Sequence, residues 1–162
     1  MTALYQAHAL GLIRLAVIML GDRPTAEDVV QDAFAGLYRR WHALSDTGKA
    51  LSYVRSSVLN GARSALRQRA RQPASPGDPA AESADPATES AETAALLSEE
   101  HREVLAAIRR LPDRQREALV LRYYLELDEE DIAQSMGISR GTVKSTTSRA
   151  IAALRKTLGD QA

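Results

Sequence analysis

The chain of 162 residues contains no cysteine, which removes disulfides, thiolate zinc sites and cysteine nucleophiles at once. Aromatics are scarce, at one Trp, one Phe and five Tyr, and with ordinary apolar content this suits one or two small soluble domains. Long apolar runs are missing too. The stretch Leu10 to Leu20 is interrupted by Arg14 and reads as too short to cross a bilayer. The N-terminus has no basic segment followed by a cleavable small-residue site. A cytoplasmic protein with no membrane association is therefore expected. His8, His42 and His101 lie far apart without metal-ligand spacing, and neither a glycine-rich phosphate loop nor a nucleophile motif occurs. No catalytic residue, metal site or cofactor is expected. Strand alternation and internal repeats are absent as well.

What is present is charge, in segregated blocks. Lys plus Arg and Asp plus Glu each number 21, so the formal net charge is zero. Yet from Thr47 to Gly77 there is no acid, while Lys49, Arg55, Arg63, Arg67, Arg69 and Arg71 accumulate. The sign then reverses. From Pro73 to Thr93 the chain carries Asp78, Glu82, Asp85, Glu89 and Glu92, four prolines, no base and no large apolar residue. Such a stretch cannot build a core and reads as a flexible acidic linker. It divides the sequence into residues 1–71, a linker over 72–97, and residues 98–158, each lobe with its own basic segment. Two basic patches on one tether suggest two contacts with one polyanion.

Both lobes read as all-α. In the first, Leu4, His8, Leu12, Leu15, Ala16 and Met19 recur at helical spacing, with Gly21 and Pro24 as stop signals. A second helix is expected from a Thr25 cap, with Glu27 and Asp28 in its first turn and Val30, Ala33, Phe34, Leu37 and Trp41 inward. Asp28, Gln31 and Asp32 then face elsewhere. After a polar loop, a third helix over residues 50–71 turns Leu51, Val54, Val58, Leu59, Ala62 and Leu66 inward and its arginines outward. The second lobe opens with a helix over about 98–110, apolar at Val104, Leu105, Ile108 and Leu111. Pro112 starts the next, in which Leu119, Val120 and Tyr123 pack.

The segment from Asp128 to Leu154 reads as helix, glycine-centred turn, helix, the unit that lays one helix in the major groove of DNA. Asp128 is a good N-cap, Ile132, Ala133 and Met136 are buried, Gly137 ends the helix and Ile138 plugs the corner. Ser139 caps the second helix, whose stripe is Val143, Ala150, Ile151 and Leu154. At about 100° per residue, Thr142, Lys144, Ser145, Ser148 and Arg149 project away from that stripe. No acid interrupts the run from Ile132 to Gly159, so this face suits phosphates and base edges.

These residues resemble the extracytoplasmic-function (ECF) sigma factors, the promoter-recognition subunits of bacterial RNA polymerase, in a SigE-like form. Residues 26–34, AEDVVQDAF, resemble the family's region 2.2, and residues 51–67, LSYVRSSVLNGARSALR, resemble regions 2.3 to 2.4. Residues 111–124, LPDRQREALVLRYY, resemble region 4.1, and residues 141–150, GTVKSTTSRA, the region 4.2 recognition helix. The resemblance implies that the first lobe recognises and opens the minus-ten element while the second reads the minus-thirty-five element. Lys144, Ser145, Ser148 and Arg149 match positions facing DNA, whereas Thr146 departs from a family position that commonly carries a longer basic or amide side chain. Asn60 matches a polar position at the minus-ten contacts, and the loop Ser45 to Lys49 matches one that captures an extruded base, with Asp46 and Asn60 as hydrogen-bonding groups. Arg55, Arg63 and Arg67 would hold the displaced strand. The resemblance assigns Asp28, Gln31 and Asp32 to the clamp helices of the polymerase's largest subunit, and region 4.1, with Leu119 and Tyr123, to the flap of the second-largest.

Two other classes of protein fit the sequence less well. A stand-alone helix–turn–helix regulator explains the second lobe but leaves the first lobe's basic helix and acidic face without purpose. It usually needs a dimer to match palindromic half-sites, and nothing in the sequence indicates one. A monomer is expected. An enzyme lacks any supporting motif. The linker is compatible with an anti-sigma protein holding the two lobes together, but does not require one.

Overall fold

The computed structural model describes residues 1–71 and 99–159, which are helix and turn with no strand among them. The linker over 72–97 and the start of the second lobe at Ser98 lie outside the described residues. Contacts divide the chain into two units, Met1–Asp85 and Pro86–Ala162.

The first unit packs three helices. Helix α1, Thr2–Leu20, ends at Gly21, whose left-handed φ of 72° lets its N–H donate to the Val17 carbonyl at 2.7 Å. Because the helix starts at Thr2, it is longer than the apolar run suggested. By length and composition α1 is able to span a bilayer, with a hydropathy of 1.6. It is instead the core helix of this unit, burying Leu12, Leu15, Ala16, Met19 and Leu20 against α2 and α3. Helix α2, Arg23–Arg40, starts two residues before the expected Thr25 cap. Asp22 occupies the N-cap position and Pro24 lies in the first turn, where the missing N–H has no intrahelical partner to lose. The Thr25 hydroxyl donates back to the Asp22 carboxylate. Short 3₁₀ turns, Trp41–Ala43 and Thr47–Lys49, lead into α3, Ala50–Arg71. Trp41 is only half-buried because it leaves α2 for the first of these turns.

Val30, Phe34 and Leu37 of α2 meet Val54, Val58 and Leu59 of α3 over the α1 core. Tyr5 stands edge-on to Phe34, ring centroids 5.0 Å apart. Arg69 does not join the outward arginines. It donates to the Leu20 carbonyl at 2.6 Å and pairs with Asp22 at 3.2 Å, tying the end of α3 to the α1–α2 corner.

Gly61 sets how closely α2 and α3 approach, since a Cβ there would stand 2.8 Å from Val29 Cγ1. Gly61→Ala gains about 1 kcal/mol of helix propensity but forces an overpacking cost of about 1–3 kcal/mol. A net loss of about 1 kcal/mol is expected for the first unit. Trp41 is the sole tryptophan and belongs to that unit, so its fluorescence in a urea titration reports the loss directly. An unchanged midpoint would show that Val29 yields without penalty.

The second unit packs α4, Glu99–Arg109, α5, Asp113–Tyr123, α6, Glu129–Met136, and α7, Arg140–Gly159. Leu111, Leu119 and Ala150 form a core cluster to which Ile108, Ile151 and Leu154 add. Val104 and Tyr123, expected inward, are 37% and 59% exposed. Tyr123 is the last residue of α5, and Val104 lies one turn before Ala107, the buried residue of α4.

Two charged residues of α5 are inward instead. Arg116 is 8% exposed, and its guanidinium donates to the carbonyls of Ile108 at 3.3 Å, Arg109 at 2.7 Å and Leu111 at 2.9 Å. These belong to the last turn of α4 and the residues just after it, where carbonyls have no intrahelical partner. Burial lowers the Arg116 pKa, Asp113 at 3.5 Å opposes that shift and Arg109 adds to it. A guanidinium nonetheless stays protonated. Glu117, 1% exposed, lies 3.5 Å from Arg114, which also donates to the Met136 carbonyl at 3.0 Å. Arg114 thereby fixes α5 to the C-terminus of α6.

Candidate nucleic-acid interface

The helix–turn–helix is built from local capping. Asp128 accepts from the Asp131 N–H at 2.8 Å and so satisfies one free donor at the start of α6. Gly137, at φ 67°, and Ile138 both direct their N–H groups to the Ala133 carbonyl, which closes α6 and turns the chain. Ser139 then accepts from the Thr142 N–H at 3.1 Å and starts α7. Val143 and Ala150 are buried, and Ile132 and Met136 of α6 are buried beside them.

Thr142, Lys144, Ser145, Ser148 and Arg149 are all exposed on the opposite side of α7. The polar groups of Thr142, Ser145 and Arg149 rest on one another and on their own helix cap. The Ser139 and Thr142 hydroxyls are 2.8 Å apart, and Ser145 donates to the Thr142 carbonyl at 3.1 Å. Arg149 folds back onto the Ser145 carbonyl at 3.3 Å and its hydroxyl at 3.4 Å. Such exposed intrahelical contacts are cheap to exchange for phosphate or base-edge contacts. Thr146 is not among these residues. At 7% exposure it belongs to the buried stripe with Val143 and Ala150, because 143, 146 and 150 follow the i, i+3, i+7 pattern of one face. Its side chain therefore faces the packed side of α7.

One charge escaped the sequence reading. Although no acid lies within residues 132–159, Glu129 of α6 reaches back across the turn, its Oε2 3.9 Å from both Arg140 Nη2 and Lys144 Nζ. Glu129 lies outside the acid-free run, and only the tight turn brings it onto α7, so the linear pattern carried no signal for it.

In the first unit, Asn60, Arg63 and Arg67 share a sector of about 60° on α3, away from Val54, Val58 and Ala62. Arg63 donates to Asn60 Oδ1 at 2.9 Å, and Arg67 to the Ser64 hydroxyl at 3.1 Å. Arg55 lies to one side of this sector. Asp46 caps the 3₁₀ turn before α3 by accepting from the Gly48 N–H at 2.9 Å. Asn60 lies ten residues along α3 from Ala50, about 15 Å at 1.5 Å per residue.

Asp28, Gln31 and Asp32 are exposed on α2. Asp28 and Asp32, one turn apart, line a groove of about 480 Å³ between α2 and α3, with Tyr53 and Ser57 across it. Gln31 is not among the groove residues. On α5, Leu119 is 5% exposed and serves the core, whereas Tyr123 and Tyr124 are 59% and 40% exposed. Among the described residues no group of three or more His, Asp or Glu is arranged to hold a metal ion.

An all-helical chain of two units, one carrying a basic helix–turn–helix and the other a basic helix beside an acidic one, has the make-up of a multi-contact DNA-binding protein. The description Sigma-70 region 2 matches residues 4–72, and Sigma-70, region 4 matches residues 101–154. The chain is 33% identical to the RNA polymerase sigma-E factor of Streptomyces coelicolor over 91% of this chain and 79% of that one. It is 32% identical to the ECF RNA polymerase sigma factor SigL of Mycobacterium tuberculosis over 98% of this chain and 88% of that one. The fold matches that of the sigma factor RpoE of Bartonella quintana, solved with the anti-sigma factor NepR, with a TM-score of 0.71, 22% identity and 98% coverage of both chains. The chain belongs to the sigma-70 family, in its extracytoplasmic-function group. As a sigma factor it directs RNA polymerase to promoters and assists their opening, with core polymerase and promoter DNA as partners. Its family is not known for enzymatic activity, and sigma factors act on DNA in the cell interior.

Proposed function

We propose that residues 98–158 read the minus-thirty-five element with α7 in the major groove, while residues 1–71 bind and open the minus-ten element, the linker over 72–97 joining them. The observation that carries this reading is the exposed face of Thr142, Lys144, Ser145, Ser148 and Arg149 on a well-capped recognition helix. Lys144 and Arg149 supply charge to phosphates or base edges, and the hydroxyls supply short, adaptable donors. Asn60 with Arg63 and Arg67 holds the opened strand, and Asp46 with its loop takes a different base further along. The Asp28, Gln31 and Asp32 face meets the clamp helices of the largest polymerase subunit. Tyr123 and Tyr124, rather than buried Leu119, meet the flap of the second-largest. The chain works as a non-catalytic cytoplasmic subunit, monomeric when free and without membrane attachment. An anti-sigma factor is a further partner compatible with the two tethered lobes, and the fold neighbour was solved in complex with one.

Transcription by purified core polymerase from a promoter library tests the reading. The full chain is expected to give promoter-dependent starts, and inability to bind core or select any promoter would overturn the proposal. Lys144→Ala or Arg149→Ala is expected to weaken use of the minus-thirty-five element and to reduce the salt slope of duplex binding by about 0.9 each. An unchanged slope in both would remove α7 from the DNA.

A further inference from the structure

We propose that Glu129 is a built-in competitor for DNA phosphate, a positioning residue that partly occupies the cations of α7 until a duplex displaces it. The inference rests on the reading of α7 as the DNA-facing helix. One carboxylate oxygen, Oε2, stands 3.9 Å from Arg140 Nη2 and 3.9 Å from Lys144 Nζ. The side chain of Glu129 is 24% exposed, whereas those of Arg140 and Lys144 are 68% and 69% exposed. The acid is held close to the protein while both cations remain open to solvent, so an incoming phosphate meets them directly and competes with Glu129 for them.

Glu129 is the first residue of α6, and its backbone is fixed by the Asp128 cap and the α6–α7 turn. The two cations lie four residues apart, on adjacent turns of α7. A phosphate approaching either must share it with Glu129 or break a contact, and it also meets the repulsion of the carboxylate. Sequence-independent attraction falls as a result. Base-edge contacts made elsewhere on α7, by Ser145, Ser148 and Arg149, are not taxed in this way. The exchange therefore favours duplexes that offer those contacts over duplexes that offer phosphates alone.

Glu130 provides the internal control. It follows Glu129 in sequence, is exposed, and makes no ion pair with α7. The experiment measures binding of the full chain to a labelled random-sequence duplex by fluorescence anisotropy, from about 50 to 200 mM salt. Glu129→Gln is expected to bind between about twofold and tenfold more tightly at the low end, the range expected for releasing two exposed pairs, with a steeper salt slope. Glu130→Gln is expected to gain less. The gain from Glu129→Gln should shrink when Arg140 and Lys144 are both alanine. Equal gains from Glu129→Gln and Glu130→Gln would indicate net charge alone and overturn the proposal, as would a Glu129→Gln affinity and slope equal to wild type while Lys144→Ala still weakens binding. If Lys144→Ala and Arg149→Ala leave binding unchanged, it is the placement of α7 on DNA that fails. Thermal midpoints of each variant show that the fold is kept.

Discussion

Arg116→Met should destabilise the second unit by about 3 kcal/mol, the scale for removing one member of a buried, hydrogen-bonded charged set. Methionine fills much of the same volume, so the loss isolates the polar part of the interaction. Three carbonyls, those of Ile108, Arg109 and Leu111, lose their guanidinium donor at the junction of α4 and α5. The Ile108 carbonyl still accepts from the Leu111 N–H at 3.1 Å, so the loss falls mainly on the carbonyls of Arg109 and Leu111. Lysine at the same position keeps the charge but cannot present a planar fork to three acceptors, so Arg116→Lys should recover only a minor part of the loss. The two units give separable signals. Trp41 fluorescence follows the first unit and should keep its urea midpoint, while amide exchange in residues 99–159 accelerates. A variant with wild-type exchange there would mean that water replaces the guanidinium at no cost.

That prediction could not have been made from the linear pattern. Arg116 and Glu117 are charged residues in a helix rich in charge, and the simplest reading puts both in solvent. The burial of Arg116 follows from α4 ending directly beside α5, which creates a demand for donors that a long side chain meets, while Glu117 is held by Arg114. Local signals proved more reliable. The span of α3, residues 50–71, was evident from its apolar stripe, and the caps at Asp128, Gly137 and Ser139 behave as their chemistry dictates. Capping needs only neighbours within three or four residues, so the sequence contains the whole interaction.

Errors arose where a partner distant in sequence decides the outcome. Arg69 reads from the sequence as one more outward arginine, yet Asp22 and Leu20, 47 and 49 residues away, claim it. Pro24 seemed a stop signal, but after Gly21 has already ended α1 it serves in the first turn of α2. Thr146 seemed a substitution on the DNA face and is a packing residue. The candidate site was legible as a set of residues on α7 and α3. What was not legible is the state in which the fold holds them, with Arg149 folded onto Ser145 and Lys144 shared with Glu129. Both arrangements set the free energy from which DNA binding starts, and so they shape affinity as much as the residues that touch DNA.

Asn60→Ala should reduce promoter opening by roughly tenfold to a hundredfold, the range for losing 1–3 kcal/mol of base-edge hydrogen bonding, while leaving closed-duplex binding near wild type. The asymmetry follows from the fold. Asn60 is a neutral amide on α3 flanked by Arg63 and Arg67, so its loss leaves both cations in place. Attraction to a duplex depends on those cations, whereas an unpaired base also requires a group that both donates and accepts, and the amide does so. Removing the amide also frees Arg63 from the Oδ1 acceptor 2.9 Å away, which would leave phosphate attraction undiminished or slightly higher. Permanganate reactivity of minus-ten thymines, measured beside filter binding of the same complexes, separates the two steps. Asn60→Asp should be worse than Asn60→Ala, since it keeps the shape but replaces the donor with an acceptor and places an acid against DNA. Equal loss of binding and opening in both variants would assign Asn60 to duplex attraction instead, and wild-type permanganate reactivity would remove it from the opened strand.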